Sequence, residues 1–173
     1  MILTYIGAYA SAPGTASSPT ILPPPEPTAV PETPIPSLVT EVPCATSAEA
    51  VRHFSASFAF ETDCWDVHDA LGKGPDFVLL DVRSAEDYAA GHVPGALHLP
   101  HRKITEFRLA AFPAEAKFVV YCSGPHCNGA QRAALRLAQL GRAVKLMIGG
   151  MTGWLAEGFE VERTREEPQR AVK

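Results

Sequence analysis

Phe118 to Gly141 reads FVVYCSGPHCNGAQRAALRLAQLG. Aromatic and β-branched residues favour a strand over Phe118–Tyr121, and the alanine- and leucine-rich stretch from about Cys127 to Leu140 favours a helix. Between them lies a short loop with glycines. Cys122 therefore stands where a strand hands over to the N-terminus of a helix. Backbone N–H groups converge at such a place, and the helix dipole is positive there. A thiol so placed is expected to ionise more readily than a free one, and the thiolate is the nucleophilic form. The plain alternative is a small cysteine packed beneath a sheet, a common fate of free cysteine.

Working outward, the same alternation recurs. FVLLDV (77–82) is an unbroken apolar strand, and SAEDYAAG (84–91) a short capped helix ending at glycine. ALHL (96–99) is a second strand, HRKITEFRLAAF (101–112) is helical in pattern, AVKLM (143–147) is a further strand, and GGMTGWLAEG (149–158) a closing helical turn. Unbroken apolar strands need cover on both faces. Strands alternating with helices predict an α/β fold, a central parallel β-sheet flanked by helices on both faces. Ligands of such sheets sit beyond the carboxyl ends of the strands. Arg83, the run His101-Arg102-Lys103 and Cys122 all follow strand ends and are expected to converge there.

Upstream, TSAE (46–49) has the form of a capping box, and Val51, Phe54 and Phe58 recur at helical spacing as one apolar face. Thr62-Asp63 opens a second helix, in which Trp65 and Leu71 are expected to face the core, and Gly72 and Gly74 close it.

With 173 residues, 46% apolar and 20% charged, the composition fits a globular domain. A net charge of -4 and a pI near 5.8 speak against nucleic acid and anionic membrane as partners, since both call for a basic face. No stretch has the apolar length of a membrane span. Four cysteines, at 44, 64, 122 and 127, are too few and too uneven for a secreted disulfide framework. A reducing, cytoplasmic setting with thiols kept for chemistry is expected. Residues 11–43 hold most of the prolines, so 1–44 read as a Pro-rich, disordered N-terminal extension and 45–173 as the domain, with its core at about 60–162. MILTYIGAYASA at the start has no Lys or Arg before Arg52, and it reads as non-targeting.

Three segments together resemble the rhodanese (thiosulfate sulfurtransferase-like) domain family. They are LLDVRSAEDYAAGHVPGALHLP (79–100), VVYC with its glycine-containing loop and alanine-rich helix, and GGMTGW (149–154). The resemblance implies sulfane-sulfur transfer. A donor gives its outer sulfur to Cys122, and the persulfide passes to a thiol or cyanide-like acceptor. The donor is expected to be a small sulfur compound or a persulfidated protein. The cradle for the persulfide would be Ser123, Gly124, Pro125, His126, Cys127, Asn128 and Gly129. An anion with no counter-ion in its loop needs aligned amide dipoles, and Gly124 and Gly129 are expected to supply the backbone angles of such a nest. No metal or organic cofactor is implied.

Two departures from the family pattern matter. The spacing from Cys122 to Gly141 is about two residues longer than in the six-residue-loop members, and the loop offers His126 where many active members carry Arg or Lys. Thiosulfate is a dianion, and losing a loop cation costs on the order of 1–3 kcal/mol in binding. A persulfide donor is therefore expected, or help from Arg102 or Lys103.

The remaining candidates divide into structural and chemical. Asp81 and Arg83 are expected to pair and fix the floor of the site, with Glu86 as a further partner for Arg83. His92, in GHVPGA, reads as a hydrogen-bonded turn histidine, His53 and His68 as solvent-facing, and Trp154 as packed under the last turn. His101 and Arg102 are candidate pocket residues, and His126 a candidate to favour the thiolate or to hold an anion. Cys127 has three open readings: a wall of the pocket, a resolving thiol that forms a disulfide or relays persulfide, or inert packing. C-x4-C matches neither a zinc pair nor the C-x-x-C redox motif. Rival functions are a non-catalytic persulfide carrier or regulatory binding module and, further off, an arsenate reductase or cysteine phosphatase. The last two want an arginine at the loop's end, where Asn128 stands, and the first Arg after it is Arg132 in the helix.

Overall fold

A computed structural model of the chain describes residues 37–164. The readings of the first twelve residues and of most of the proline-rich segment lie outside them. Contacts divide the chain into Met1–Cys44 and Ala45–Lys173. Of the first unit the described part is an exposed turn, where the N–H groups of Thr40 and Glu41 both reach the Ser37 carbonyl at 2.9 Å.

The second unit is built on five parallel strands: β1 (Glu61–Thr62), β2 (Phe77–Asp81), β3 (Leu97–His98), β4 (Lys117–Tyr121) and β5 (Ala143–Met147), in the order β1-β5-β4-β2-β3. The helices are α1 (Ser47–Phe60), α2 (Cys64–Lys73), α3 (Ala85–Ala90), α4 (Glu106–Leu109), α5 (Gly129–Gln139) and α6 (Gly150–Ala156), with a 3-10 turn at His101–Lys103. Successive side chains of a strand face opposite sides. Leu80, Phe118 and Val120 meet Ala133 and Leu137 of α5 on one side. Leu79, Val119 and Tyr121 meet Val67 of α2 and Met151 and Trp154 of α6 on the other. Both faces are thus covered, as the unbroken apolar runs require. None of the described helices is long and apolar enough to cross a membrane.

Four local readings need correction. The pattern over 101–112 is two elements: Ile104 is extended, and the Thr105 side chain accepts the Arg108 N–H and starts α4 afresh. β1 went unforeseen, because two polar residues carry no strand signal; β5 recruits them by pairing. Trp65 is 58% exposed, its indole N–H donating to Glu157 at 3.0 Å, while Trp154 fills the core under the sheet. The capping box of α1 forms as expected, yet Val51, Phe54 and Phe58 stay exposed.

Candidate active site

The β2–β4 register ends at Asp81 opposite Tyr121, and Cys122 is the next residue. It is 4% exposed, and its thiol donates to the Cys127 carbonyl at 3.0 Å. A turn with the Cys127 N–H on the Gly124 carbonyl, 3.0 Å, folds residues 123–128 back over it. The start of α6 pins the loop from below. Met151 N–H donates to the Cys122 carbonyl at 2.9 Å, and Thr152 gives both its N–H and its hydroxyl to the Ser123 carbonyl at 2.8 Å. This close approach depends on Gly150, whose φ is +56° and whose Cα faces the Cys122 carbonyl: a Cβ there would lie 2.5 Å from that oxygen.

Gly150 is thus a site residue that sequence reasoning missed, although GGMTGW contains it. Conversely, Gly124 and Gly129 do not have positive φ. Their smallness serves close packing instead. A Cβ at Gly124 would meet the Thr152 hydroxyl at 2.7 Å, and one at Gly129 would touch Cys122 Cβ and Cys127 Sγ, each at 3.4 Å.

The loop amides do not gather on one sulfur. Those of Ala130 and Gly124 favour the Cys122 thiolate, and those of Gly129 and Ser123 favour that of Cys127. Ala130, already inside α5, was not among the expected cradle residues. The division has an electrostatic consequence. Burial pushes the Cys122 thiol above its ordinary range, against the pull of the Ala130 and Gly124 amides. The Gly129 amide, aided by the Cys122 thiol and the Ser123 amide, draws the Cys127 thiol below its own. The easily ionised Cys122 expected from its strand-end position is therefore corrected. Being sunk under the loop outweighs the helix terminus at Cys122.

Iodoacetamide near neutral pH should accordingly label Cys127 several-fold faster than Cys122, and labelling of Cys127 should set in at lower pH as pH is raised. Both residues lie in the tryptic peptide Phe118–Arg132, so fragment-ion mapping separates them. Equal or reversed rates contradict the division of amides. Cys64 is the inert contrast, buried beneath Gly149 with its pKa pushed up to about 11 by burial first and by Asp63 and Glu157.

Beyond the carboxyl ends of β2 and β4 a cavity of about 400 Å³ brings together Arg83, Asp87, His101, Arg102, Cys122 and Cys127. The expected convergence of segments on Cys122 is present, with Lys103 outside it. Ser123 and Gly129 complete this wall. Pro125, His126 and Asn128 instead line an outer hollow on the other side of the loop, together with Ser123 and Cys127. Cys127 thus faces both spaces. His126 is exposed and does not reach the Cys122 cavity.

Asp81 and Arg83 form the floor. The carboxylate, 0% exposed, takes Arg83 Nη2 at 2.6 Å and the Arg83 N–H at 2.9 Å, and Arg83 Nη2 also donates to the Gly91 carbonyl at 2.6 Å. Glu86 does not join this pair, and the Ser84 hydroxyl beside it donates to Asp87 Oδ2 at 2.9 Å. His92 is buried, with Nδ1 2.8 Å from the Tyr88 carbonyl and its ring stacked on Tyr88. His68 is exposed at one edge, yet its ring stacks on Phe159 at 4.0 Å. Arg132 does not enter the cavity; its Nε donates to Asn128 Oδ1 at 3.1 Å. A larger hollow of about 680 Å³, beside Phe60, Val67 and Phe118, holds no cysteine or histidine.

Over residues 65–157, more than half the chain, the sequence matches the family profile described as Rhodanese-like domain. The chain belongs to that family. The crystal structure of the BH2092 protein from Bacillus halodurans is similar to this rhodanese-like domain at 41% identity with a TM-score of 0.66, covering 69% of this chain and 88% of that one. The thiosulfate sulfurtransferase GlpE of Pseudomonas fluorescens is 36% identical over 87 residues, which are 50% of this chain and 71% of the relative. The HTH-type transcriptional regulator Rv0324 of Mycobacterium tuberculosis is 37% identical over 87 residues, 50% of this chain. The rhodanese-like chain spans 38% of that regulator's length.

Proposed function

We propose that this rhodanese-like domain transfers sulfane sulfur from a donor to a thiol or cyanide-like acceptor through a persulfide on Cys122. The observation that carries the reading is the placement of Cys122 at the end of β4, opening into a cavity it shares with His101 and Arg102. Similarity to a protein named thiosulfate sulfurtransferase supports it. In this reading the Cys122 thiolate attacks the outer sulfur of the donor, and the Ala130 and Gly124 amides hold the anionic product. His101 and Arg102 orient the donor.

The charge inventory of the cavity bears on the donor. The guanidinium of Arg83 is already engaged by Asp81 and the Gly91 carbonyl, Asp87 adds a carboxylate, and Arg102 is the cation left to meet a ligand. A dianion such as thiosulfate is poorly served by that balance. A small persulfide or a persulfidated protein is the better donor, by about 1–3 kcal/mol, or about 5- to 150-fold in rate. Intact mass after exposure to each donor tests this: a gain of about 32 Da, one sulfur atom, on Cys122 should come faster from a low-molecular-weight persulfide. Faster gain from thiosulfate reverses the donor assignment, and a chain that neither gains sulfur nor releases hydrosulfide with either donor loses the sulfur-transfer reading.

Similarity to an HTH-type regulator favours a second reading, a regulatory module in which the persulfide is a signal. Sustained turnover with cyanide or a small thiol argues for the enzyme; a single loaded sulfur without turnover argues for the module.

A further inference from the structure

Cys127 has no part in the transfer just described, yet its surroundings are built. Its Sγ and Cys122 Cβ each lie 3.4 Å from the point where a side-chain carbon of Gly129 would stand. The Cys127 thiol and the base of the Cys122 side chain therefore border one gap, and Cys122 Sγ also reaches the Cys127 carbonyl at 3.0 Å. Both cysteines line one cavity, and Cys127 alone of the two also faces the outer hollow. Gly129, lacking a side chain, leaves that gap open.

Resting on the Cys122 persulfide reading, we propose that Cys127 is a second catalytic thiol that discharges this persulfide within the molecule, releasing hydrosulfide and closing a Cys122–Cys127 disulfide. The step balances. The Cys127 thiolate attacks the inner sulfur of the protonated persulfide, and the bond between inner and outer sulfur breaks. The outer sulfur leaves with its proton and the bonding pair as HS⁻. The sulfane sulfur is reduced to sulfide, and the two cysteine sulfurs are oxidised to the disulfide. A small thiol then resets the pair by ordinary exchange: two equivalents reduce the bond and leave as their own disulfide.

Two observations favour attack from Cys127. The Gly129 and Ser123 amides stabilise its anionic form, which is the attacking species. Cys122 is sunk under the loop, so an external thiol reaches its inner sulfur poorly, whereas Cys127 is already inside the barrier. Cys127 is also the thiol accessible from outside once the disulfide has formed, because the outer hollow opens onto it. A resetting thiol approaching from that side forms its mixed disulfide on Cys127 and leaves Cys122 free for the next donor.

The test uses the full chain and its Cys127→Ser variant, each given one equivalent of cysteine persulfide with no acceptor. The wild type should release about one hydrosulfide per chain and end about 2 Da lighter than the reduced protein, with the linkage mapped to Cys122–Cys127 within peptide Phe118–Arg132. Cys127→Ser should keep a gain of about 32 Da on Cys122 and release hydrosulfide about tenfold more slowly or not at all. A merely structural Cys127 would not move sulfide release or the disulfide mass. If the variant holds the added sulfur and the wild type holds it equally long, the proposal falls while the sulfur-transfer reading stands. If the variant takes up no sulfur, the Cys122 persulfide itself fails and the discharge step with it.

Discussion

Gly150→Ala should lower the stability of the domain by about 2–5 kcal/mol and abolish sulfur uptake by Cys122. Two separate costs add. The residue sits at φ +56°, a region that costs an L side chain about 1–2 kcal/mol. Its new Cβ would also stand 2.5 Å from the Cys122 carbonyl oxygen, 3.0 Å from the Gly124 nitrogen and 3.1 Å from the Gly124 Cα. All three are backbone atoms of the Cys122 loop, so no side chain can swing aside. Relief requires α6 to draw back, and then the Met151 and Thr152 bonds to the Cys122 and Ser123 carbonyls are lost. Those carbonyls fix the direction of the loop amides. Gly158→Ala is the control, since its φ is +76° but nothing lies within 4 Å of the added carbon. It should cost about 1 kcal/mol and leave sulfur uptake intact. Urea unfolding, and intact mass together with released hydrosulfide, measure both effects. Equal costs for the two variants mean that the contact with the loop contributes nothing.

Gly150 also marks the limit of what the sequence discloses. The strand ending in Cys122, the parallel sheet and the two covered faces were legible because burial periodicity and chain alternation are local signals. Cys122, His101 and Arg102 met as expected because a parallel sheet sends every strand end to one edge. The division of amides between two sulfurs was not legible. It depends on the loop folding back so that the Cys127 N–H meets Gly124, a tertiary result with no periodic signature. The sign of the Cys122 shift failed for the same reason. A helix N-terminus is readable from sequence, whereas the depth to which the loop buries the thiol is not. Glycines show the ambiguity most plainly: Gly124 and Gly129 serve contact, Gly150 serves both contact and backbone angle, and the letter G is the same in each. Trp65 and Trp154 show it for aromatics. Both stand at helical positions, and only docking against Leu79, Val119 and Tyr121 decides which one is core.

The second large effect belongs to the floor. Asp81→Ala should cost about 3–5 kcal/mol, the range for removing one partner of a buried ion pair. The magnitude follows from what is left behind. The Arg83 side chain is 9% exposed, and its guanidinium would lose three contacts with the carboxylate at 2.6–3.1 Å. Burial opposes the Arg83 charge, and the hydrogen bonds and charge of Asp81 outweigh that opposition, holding its pKa above the ordinary value. Without Asp81 the opposition stands alone. The Arg83 N–H, which the carboxylate accepts at 2.9 Å, would also lose its partner, and with it the turn leading into α3. Arg83 forms one wall of the Cys122 cavity, so sulfur uptake should fall along with stability. The double variant Asp81→Ala/Arg83→Met isolates the cause. Removing both charges replaces an orphaned cation by apolar packing and should recover at least half of the lost stability, because a matched buried pair contributes little over a well-packed apolar one. If the double variant is as unstable as Asp81→Ala alone, the loss comes from the vacated volume and the turn, and the ion pair is not what holds the floor in place.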